Sequence, residues 1–266
     1  TGRLAPEAVD RTLAVLARFV EEMQALGVER CQAAGTQAVR QAANREEFLA
    51  QVENLGLAVR LLDPEEEARL TLAGVLAALA PQYRQADPLV VFDLGGGSSE
   101  FVLLRPGAAP VFAGLALGVL TLSQAFPVGD PPEATKVEAL QQEIRGRLKQ
   151  FYAENFSDRL PQPPTLVGTA GAVTTLAAMS LEMTAYDPQR VNNLVLSRER
   201  LEEMAGRITA LPEAVRARLP GLEPAKAGVM VAGVLAVLEI LKVFGQDSLV
   251  VVDAGLLEGL LSDMAT

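Results

Sequence analysis

The chain has 266 residues, of which 50% are hydrophobic and 21% are charged, a composition typical of a globular protein with about two domains. Its net charge of −10 argues against nucleic-acid binding and against attachment to anionic membranes, because both need a basic surface. The chain has no His and a single Cys, Cys31, so His-based catalysis, His-bound metal sites and internal disulfide bonds are excluded.

The N-terminal part of the chain alternates helices with short strands. Spacing and breaking residues predict, in chain order, a helix at 6–26, strands at 31–34 and 58–62, and helices at 45–55 and 64–79. Gly27 is expected to end the first helix. Asn44 and Asp63 precede the other two helices and are predicted to be their N-caps.

A polar stretch at 81–88 is predicted to be the boundary between an N-terminal lobe, residues 1–84, and a C-terminal lobe, residues 85–266. The second lobe is predicted to contain strands at 89–92, 100–104, 111–113, 163–167 and 248–252, and helices at 136–156, 172 onward, 198–208, 226–244 and 254–263. Strands that alternate with helices indicate an α/β fold.

No segment has the length and uninterrupted apolar character of a membrane span, and the N-terminal residues lack the apolar core of a signal peptide. The single Cys agrees with a reducing compartment. We therefore expect a cytoplasmic protein that does not contact membranes.

A glycine-rich segment directly after a buried strand is the strongest candidate for a site. It consists of Asp93-Leu94-Gly95-Gly96-Gly97-Ser98-Ser99-Glu100. Glycines can adopt positive φ and leave successive amide N–H groups open to an anion, and a strand-end carboxylate can hold hydrated Mg²⁺. The alternative is a hairpin turn with no chemical role.

A second glycine-containing loop follows the predicted strand at 163–167. It is Gly168-Thr169-Ala170-Gly171, and it opens a helix whose unpaired N–H groups favour phosphate. The alternative is that these glycines only allow the helix to pack closely on the strand.

Two polar segments of the first lobe are ambiguous from spacing alone. Glu65, Glu66 and Glu67 form an acidic first helical turn, which is usually a solvated face that complements the helix dipole. Arg40 follows a short strand and is, by the same reasoning, more often a surface residue than a phosphate ligand.

Taken together, these segments resemble one family. The two glycine loops occur with Glu66-Glu67-Ala68-Arg69-Leu70 and with Thr36-x-Ala38-Val39-Arg40-x-Ala42-x-Asn44. This combination resembles the exopolyphosphatase/guanosine pentaphosphate phosphohydrolase family over nearly the whole chain. The resemblance implies the two-lobed actin-like ATPase and sugar-kinase superfold, which is ribonuclease H-like, with the active site between the lobes.

The resemblance also implies roles for individual residues. Glu67 matches the catalytic base that activates water, and Asp93 and Glu100 match carboxylates associated with Mg²⁺ (or Mn²⁺) and with catalysis. The implied phosphate-binding residues are Gly95, Gly96, Gly97, Ser98, Arg40, Gly168, Thr169 and Gly171.

The implied function is hydrolysis of the terminal phosphate of inorganic polyphosphate or guanosine pentaphosphate, with Mg²⁺ as cofactor and a role in the stringent response. One alternative is a catalytically weak protein that senses polyphosphate or guanosine tetra- or pentaphosphate. Another is a kinase or ATPase of the same superfold. A homodimer is the default oligomer.

The beginning of the chain departs from the pattern of the family. The family begins with a strand, a phosphate loop and two further strands, whereas Thr1-Gly2-Arg3-Leu4 already matches a point after them. We therefore expect that the first lobe of this chain is incomplete.

Overall fold

The structure is a computed structural model that describes residues 2–265. Two compact units are formed. Unit 1 contains the chain up to Leu70 together with the residues from Leu260 onward, and unit 2 contains Thr71–Gly259.

Unit 1 is built from short elements that cover a small apolar centre. In chain order they are α1 (Pro6–Ala25), β1 (Ala33–Gly35), α2 (Gln37–Arg40), α3 (Arg45–Asn54), β2 (Val59–Leu61) and the beginning of α4 (Pro64–Ala78). Strands β1 and β2 form a parallel two-stranded sheet. Phe48, Val52 and Leu57 are buried, and the apolar side of α1 packs against them.

The two predicted N-caps of unit 1 have different outcomes. The Asp63 carboxylate accepts a hydrogen bond from the Glu66 N–H at 2.8 Å, which confirms it as the cap of α4. Asn44 does not cap α3 through its side chain. Its amide instead bonds both backbone groups of Leu4, accepting from the N–H at 2.8 Å and donating to the carbonyl at 3.1 Å. The capping prediction for Asn44 was therefore wrong.

Unit 2 contains the larger sheet. Its elements are α5 (Pro81–Arg84), β3 (Leu89–Leu94), β4 (Ser99–Leu104), β5 (Val111–Leu115), α6 (Val119–Ala125), α7 (Ala134–Asn155), β6 (Thr165–Thr169), α8 (Gly171–Ser180), α9 (Pro188–Val191), β7 (Leu194–Ser197), α10 (Arg198–Thr209), α11 (Glu213–Arg216), α12 (Met230–Val243), β8 (Ser248–Val251) and the beginning of α13 (Leu256–Ala265), whose later residues belong to unit 1. The strand order is β5-β4-β3-β6-β8-β7. Strands β3, β6 and β8 are parallel, and the other pairs are antiparallel.

Alternate residues of the central strands fill two apolar layers, one on each face of the sheet. Val90, Phe92 and Leu94 of β3 belong to the larger layer, which also contains buried residues of α7, α8, α10 and α12. Leu89 and Val91 belong to the smaller layer. Because successive side chains of a strand point to opposite faces, Asp93 shares the face of this smaller layer.

The predicted lobe boundary at 84/85 differs from the observed division, which falls after Leu70. The reason is the packing of α4. Leu72 and Val75 lie in the second half of this helix, and Leu79 directly follows it. These residues complete the smaller apolar layer together with Val91 and Val102. The helix therefore contributes residues to both units.

The predicted helix at 226–244 begins later than expected, because Pro224–Lys226 form a 3₁₀ turn and the regular helix α12 starts at Met230. Within residues 2–265, no helix is both long enough and apolar enough to span a bilayer.

A network of charged and polar side chains connects α7 with α12. Glu239 is fully buried on α12, and its carboxylate accepts hydrogen bonds from Arg145 Nε at 2.7 Å and from Gln141 Nε2 at 2.7 Å. Lys242 Nζ lies 3.3 Å away. Burial alone would raise the pKa of Glu239, but the hydrogen bonds from Arg145 and Gln141 and the nearby positive charges lower it below its ordinary value.

We expect Arg145→Met to lower the free energy of unfolding by about 3 kcal/mol at pH 7, because it removes the main partner of a buried carboxylate. The pKa of Glu239 is lower in the folded state than its ordinary value of 4.5. The stabilisation is therefore fully present above pH 4.5 and is lost as the pH falls through the pKa of the folded state. Urea unfolding of both proteins at pH 7 and pH 3 measures it. If the difference in free energy of unfolding between the two proteins were the same at both pH values, the ionised Glu239 would not be what Arg145 stabilises.

Candidate active site

Three polar residues lie side by side across the sheet of unit 2, at the carboxyl ends of two parallel strands. Asp93 of β3 is paired with Glu100 of β4 on one side and with Thr169 of β6 on the other. Directly opposite residues in neighbouring strands share a face. The structure therefore brings together the two predicted carboxylates and one predicted phosphate-binding residue.

The first glycine loop connects Asp93 to Glu100. The Gly95 N–H donates to the Ser98 carbonyl at 3.0 Å, so it closes the turn and is not open to an anion. Among the described residues, the N–H groups of Gly96 and Gly97 have no acceptor. The Ser98 hydroxyl donates to Glu100 Oε1 at 2.6 Å and orients that carboxylate.

Close backbone approach to this loop requires glycine at position 118. Within the loop, a Cβ on Gly95 would lie 3.0 Å from the Ser98 carbonyl oxygen, whereas a Cβ on Gly96 would meet only Leu120 Cβ at 3.8 Å. The carbonyl oxygens of Gly95 and Gly96 accept from the first N–H groups of α6 at 2.9–3.1 Å. A Cβ on Gly118, just before α6, would lie 2.4 Å from the carbonyl of Gly96. Neither Gly95 nor Gly96 has a positive φ, so our expectation that these glycines supply that conformation was wrong for both.

The second glycine loop joins β6 to α8. The Thr169 hydroxyl donates to the Ala254 carbonyl at 2.8 Å, which ties this loop to the segment after β8. Ala170, the residue before α8, has φ 76° and ψ 169°. This backbone region is normally restricted to glycine, and such strain is concentrated at functional sites.

Gly168 has a packing role. A Cβ at this position would lie 2.7 Å from the ring of Phe92 and 2.8 Å from the side chain of Leu249. Gly168 is buried and does not line the cavity described below, whereas Thr169 and Gly171 do. The contacts of Gly168 therefore agree with the alternative interpretation, in which this glycine only allows close packing.

A cavity of about 970 Å³ opens beside these loops, and all of its lining residues belong to unit 2. Its wall includes Asp93, the first two turns of α8, the loop before α9, and the segments 218–226 and 253–258. Of the first glycine loop and its flanking acids, Asp93 alone lines the cavity; Gly95, Gly96, Gly97, Ser98 and Glu100 do not.

Acidic groups outnumber basic groups around this cavity. The lining residues with charged side chains are the four acids Asp93, Glu223, Asp253 and Glu258 and the two bases Arg218 and Lys226. Lys226 Nζ lies 2.9 Å from Glu223 Oε2 and 3.4 Å from the Thr175 hydroxyl of α8. Glu258 accepts from the Gly255 N–H at 2.7 Å and thereby caps α13.

Tyr186 and Asp253 face each other in the cavity wall. Burial of the phenol end raises the pKa of Tyr186, and the hydrogen bond and charge of Asp253 raise it further, so the hydroxyl stays protonated at neutral pH. As a whole residue, Tyr186 is 52% exposed, which leaves much of its ring accessible. The Asp253 N–H donates to Asn192 Oδ1 at 2.8 Å, which fixes the backbone of this acid.

Tyr186, Arg218 and Asp253 were not among the predicted site residues. A usable signal existed for Asp253, since this acid comes just after a β-branched strand, whereas Asp93 lies near the end of β3. Tyr186 and Arg218 lie in connecting segments with no motif of their own.

Two ion pairs stand next to each other in unit 1. Glu67 Oε2 lies 3.3 Å from Arg40 Nη1, and Glu66 Oε1 lies 3.0 Å from Arg60 Nη1. The side chains of Glu67 and Arg40 are 24% and 23% exposed. The structure therefore joins the predicted base to a residue that was predicted to contact phosphate.

The donors available for a metal are few. In residues 2–265, no group of three or more His, Cys, Asp or Glu side chains is arranged to hold an ion. The adjacent Asp93 and Glu100 offer carboxylate oxygens only. This donor set fits Mg²⁺, which usually binds one or two carboxylates and completes its shell with water and substrate phosphate.

Comparison with known sequences gives one consistent result. A family model described as the Ppx/GppA phosphatase family matches residues 1–266. A protein named exopolyphosphatase 2, from Mycobacterium tuberculosis, is 31% identical over 277 residues, which covers 100% of this chain and 84% of that protein. A protein named guanosine-5'-triphosphate,3'-diphosphate pyrophosphatase, from Aeromonas hydrophila, is 27% identical, which covers 97% of this chain and 50% of that protein.

Solved structures agree with this result. An Aquifex aeolicus member of the Ppx/GppA family superposes with a TM-score of 0.82 at 32% identity, covering 100% of this chain and 83% of that one. An exopolyphosphatase from Cytophaga hutchinsonii superposes with a TM-score of 0.86 at 23% identity, covering 99% of this chain and 84% of that one, a likeness of fold alone. These superpositions confirm the α/β fold class that the alternation of strands and helices predicted and that the resemblance implied.

Proposed function

The chain belongs to the Ppx/GppA phosphatase family, and from this membership we propose that it releases the terminal phosphate of a phosphoanhydride chain, in guanosine pentaphosphate or inorganic polyphosphate. Its relatives named exopolyphosphatase and guanosine pentaphosphate pyrophosphatase are phosphoanhydride hydrolases, and the chain is an enzyme of this class.

The observation that carries the proposal is the cavity of unit 2. Its volume of about 970 Å³ is in the range of pockets that enclose a small ligand. Asp93, the amino end of α8 and Lys226 meet at its wall. A helix N-terminus and an ammonium group both favour phosphate oxygens.

In the proposed reaction, Glu67 orients and deprotonates the attacking water. A carboxylate is a suitable general base in a chain that has no His. The N–H groups of Gly96 and Gly97 and the backbone of Gly171 bind phosphate oxygens. The hydroxyl groups of Ser98 and Thr169 already donate to Glu100 and to the Ala254 carbonyl, so they hold the loops in place. Asp93 and Glu100 would hold Mg²⁺, which neutralises charge on the phosphoanhydride oxygens when bound.

The wall of the cavity favours the guanosine substrate. Met183, Leu219 and Leu222 are buried apolar residues that line it, and the ring of Tyr186 is accessible beside them. A polyphosphate chain has no group that an apolar surface would bind, whereas a nucleobase stacks on aromatic and apolar side chains. We therefore propose guanosine pentaphosphate as the preferred substrate.

Phosphate release from guanosine pentaphosphate and from polyphosphate of defined lengths, each with Mg²⁺ and with excess chelator, tests the proposal. Faster release from the nucleotide supports it. Release from polyphosphate alone would overturn the substrate preference. Tight binding of both substrates without release would favour a sensing protein.

We expect Asp93→Asn to lower activity strongly and to raise the Mg²⁺ concentration that gives half-maximal activity, because one metal-binding carboxylate is lost. Titrating activity against Mg²⁺ for both proteins measures the effect. Asp253→Asn is the matched control, since Asp253 also lines the cavity but is proposed to bind no metal. Full activity of the wild-type protein in excess chelator would contradict the metal role.

A further inference from the structure

Arg40 occupies an unusual position for a phosphate-binding residue. It is the last residue of α2, and its Nη1 donates to the carbonyl of Leu62 at 2.5 Å and to Glu67 Oε2 at 3.3 Å. Leu62 is fully buried and immediately precedes Asp63, the cap of α4. The guanidinium group is therefore held between a fixed backbone carbonyl and the carboxylate of the proposed base.

We infer that Arg40 is a positioning residue for Glu67, and that it does not serve mainly as a ligand of substrate phosphate. This inference rests on the proposed function, in which Glu67 activates water. It replaces the role that the resemblance implied for Arg40 with one based on its contacts.

The anchoring of Arg40 supports this role. Its own N–H donates to the Thr36 carbonyl at 2.9 Å, and its carbonyl accepts from Arg45 Nη1 at 3.0 Å. The backbone of Arg40 is thus fixed on both sides, and the planar guanidinium group adds a rigid end. A flexible Glu side chain that bonds such a group loses alternative rotamers and stays in one orientation.

Glu67 and a substrate phosphate would compete for Arg40, and this competition also favours a positioning role. The positive charge of Arg40 is already offset by Glu67, and both side chains are about three-quarters shielded from water, so salt screens the pair only weakly. A substrate phosphate that drew Arg40 away would release the base at the moment when its orientation is needed. Positioning and strong phosphate binding by the same guanidinium group are therefore opposed.

The adjacent Glu66 has its own Arg partner, and this ion pair provides a control. Arg60 and Glu66 form a comparable ion pair, with Nη1 and Oε1 3.0 Å apart and side chains 39% and 27% exposed. Arg60 Nη2 also lies 3.6 Å from Asp263 Oδ2. Replacing Arg60 removes an Arg–Glu pair from the first turn of α4 without removing a partner of Glu67.

The test is steady-state phosphate release by the full chain and its Arg40→Met, Arg40→Lys and Arg60→Met variants. Misplacing a catalytic group by about 1 Å can reduce rates about 100-fold, so we expect Arg40→Met to lower kcat about 10- to 100-fold with KM little changed. Arg40→Lys restores part of kcat because an ammonium group can still bond Glu67. Arg60→Met leaves kcat and KM close to wild type.

Two further measurements separate the possible failures. In a Glu67→Gln background, Arg40→Met should cause little further loss of kcat, because the residue that Arg40 positions no longer acts as a base.

A large rise in KM with kcat retained in Arg40→Met would overturn the inference and make Arg40 a phosphate ligand. An equal loss in Arg60→Met would reduce Arg40 to a general structural role. If Glu67→Gln alone keeps full activity, Glu67 is not the base and the premise of this inference fails, whereas an absence of phosphate release by the wild-type chain would overturn the proposed function. Thermal unfolding of every variant shows whether it is folded. If Arg40→Met does not fold, Arg40→Lys is used in its place.

Discussion

Glu67→Gln is expected to lower kcat on the order of 100-fold or more, with KM and thermal unfolding close to those of the wild-type chain. The amide has nearly the same size as the carboxylate and can still accept a hydrogen bond from Arg40, but it cannot take a proton from water. Phosphate release under saturating substrate and Mg²⁺ measures the effect. The expectation applies to whichever phosphoanhydride substrate the protein prefers.

The adjacent Glu66 supplies the control, because its carboxylate pairs with Arg60 and not with Arg40. Glu66→Gln should retain most of the wild-type kcat. If Glu66→Gln were inactive while Glu67→Gln remained active, the base would have been assigned to the wrong member of the pair.

Gly74→Ala is expected to lower the free energy of unfolding by about 3 kcal/mol or more. Gly74 lies in α4, and a Cβ at this position would be 2.0 Å from the carbonyl oxygen of Gly255 and 2.9 Å from the N–H nitrogen of Gly259. Both contacts are with backbone atoms, so no side chain can rotate away to relieve the overlap. Urea unfolding, followed by circular dichroism, measures the change.

Gly146→Ala is the matched control for this helix substitution. Gly146 lies in α7, is exposed, and would place its Cβ in open space. Ala is the better helix former, so this variant should be about 0.5–1 kcal/mol more stable than the wild-type chain. A Gly74→Ala protein as stable as the wild type would show that α4 does not pack against Gly255 as closely as described.

The elements that the sequence predicted well are those with a local cause. The helix predicted at 6–26 is α1, Pro6–Ala25, and the strand predicted at 248–252 is β8, Ser248–Val251. Apolar spacing, a starting Pro and a β-branched run are properties of neighbouring residues, and they determine such elements without knowledge of the rest of the fold.

The elements that the sequence did not predict depend on distant partners. Strand β7 has four residues, is exposed at Val195, and pairs only with β8 at the edge of the sheet. The side chain of Asn44 bonds Leu4, which is 40 residues away in the chain. Neither property leaves a periodic signal, since each arises only when the chain has folded.

The same distinction applies to the candidate site. The two glycine loops could be found because each combines a strand end, glycines and hydroxyl or acidic residues within a few positions. The cavity could not be predicted, because Tyr186, Arg218 and Asp253 come from three separate connecting segments that meet only in unit 2. Spacing also could not distinguish Glu66 from Glu67, and their different Arg partners, Arg60 and Arg40, become apparent only in the folded chain.

The excess of carboxylates around the cavity has a consequence for how fast a substrate arrives. A polyanion that approaches four acids and two bases on a chain with net charge −10 meets a repulsive field. Such a field slows diffusional encounter, and salt weakens it beyond a Debye length of about 8 Å at physiological ionic strength. Raising the concentration of a monovalent salt should therefore accelerate the association of substrate with this cavity, whereas it slows association for proteins that attract phosphate with a basic surface.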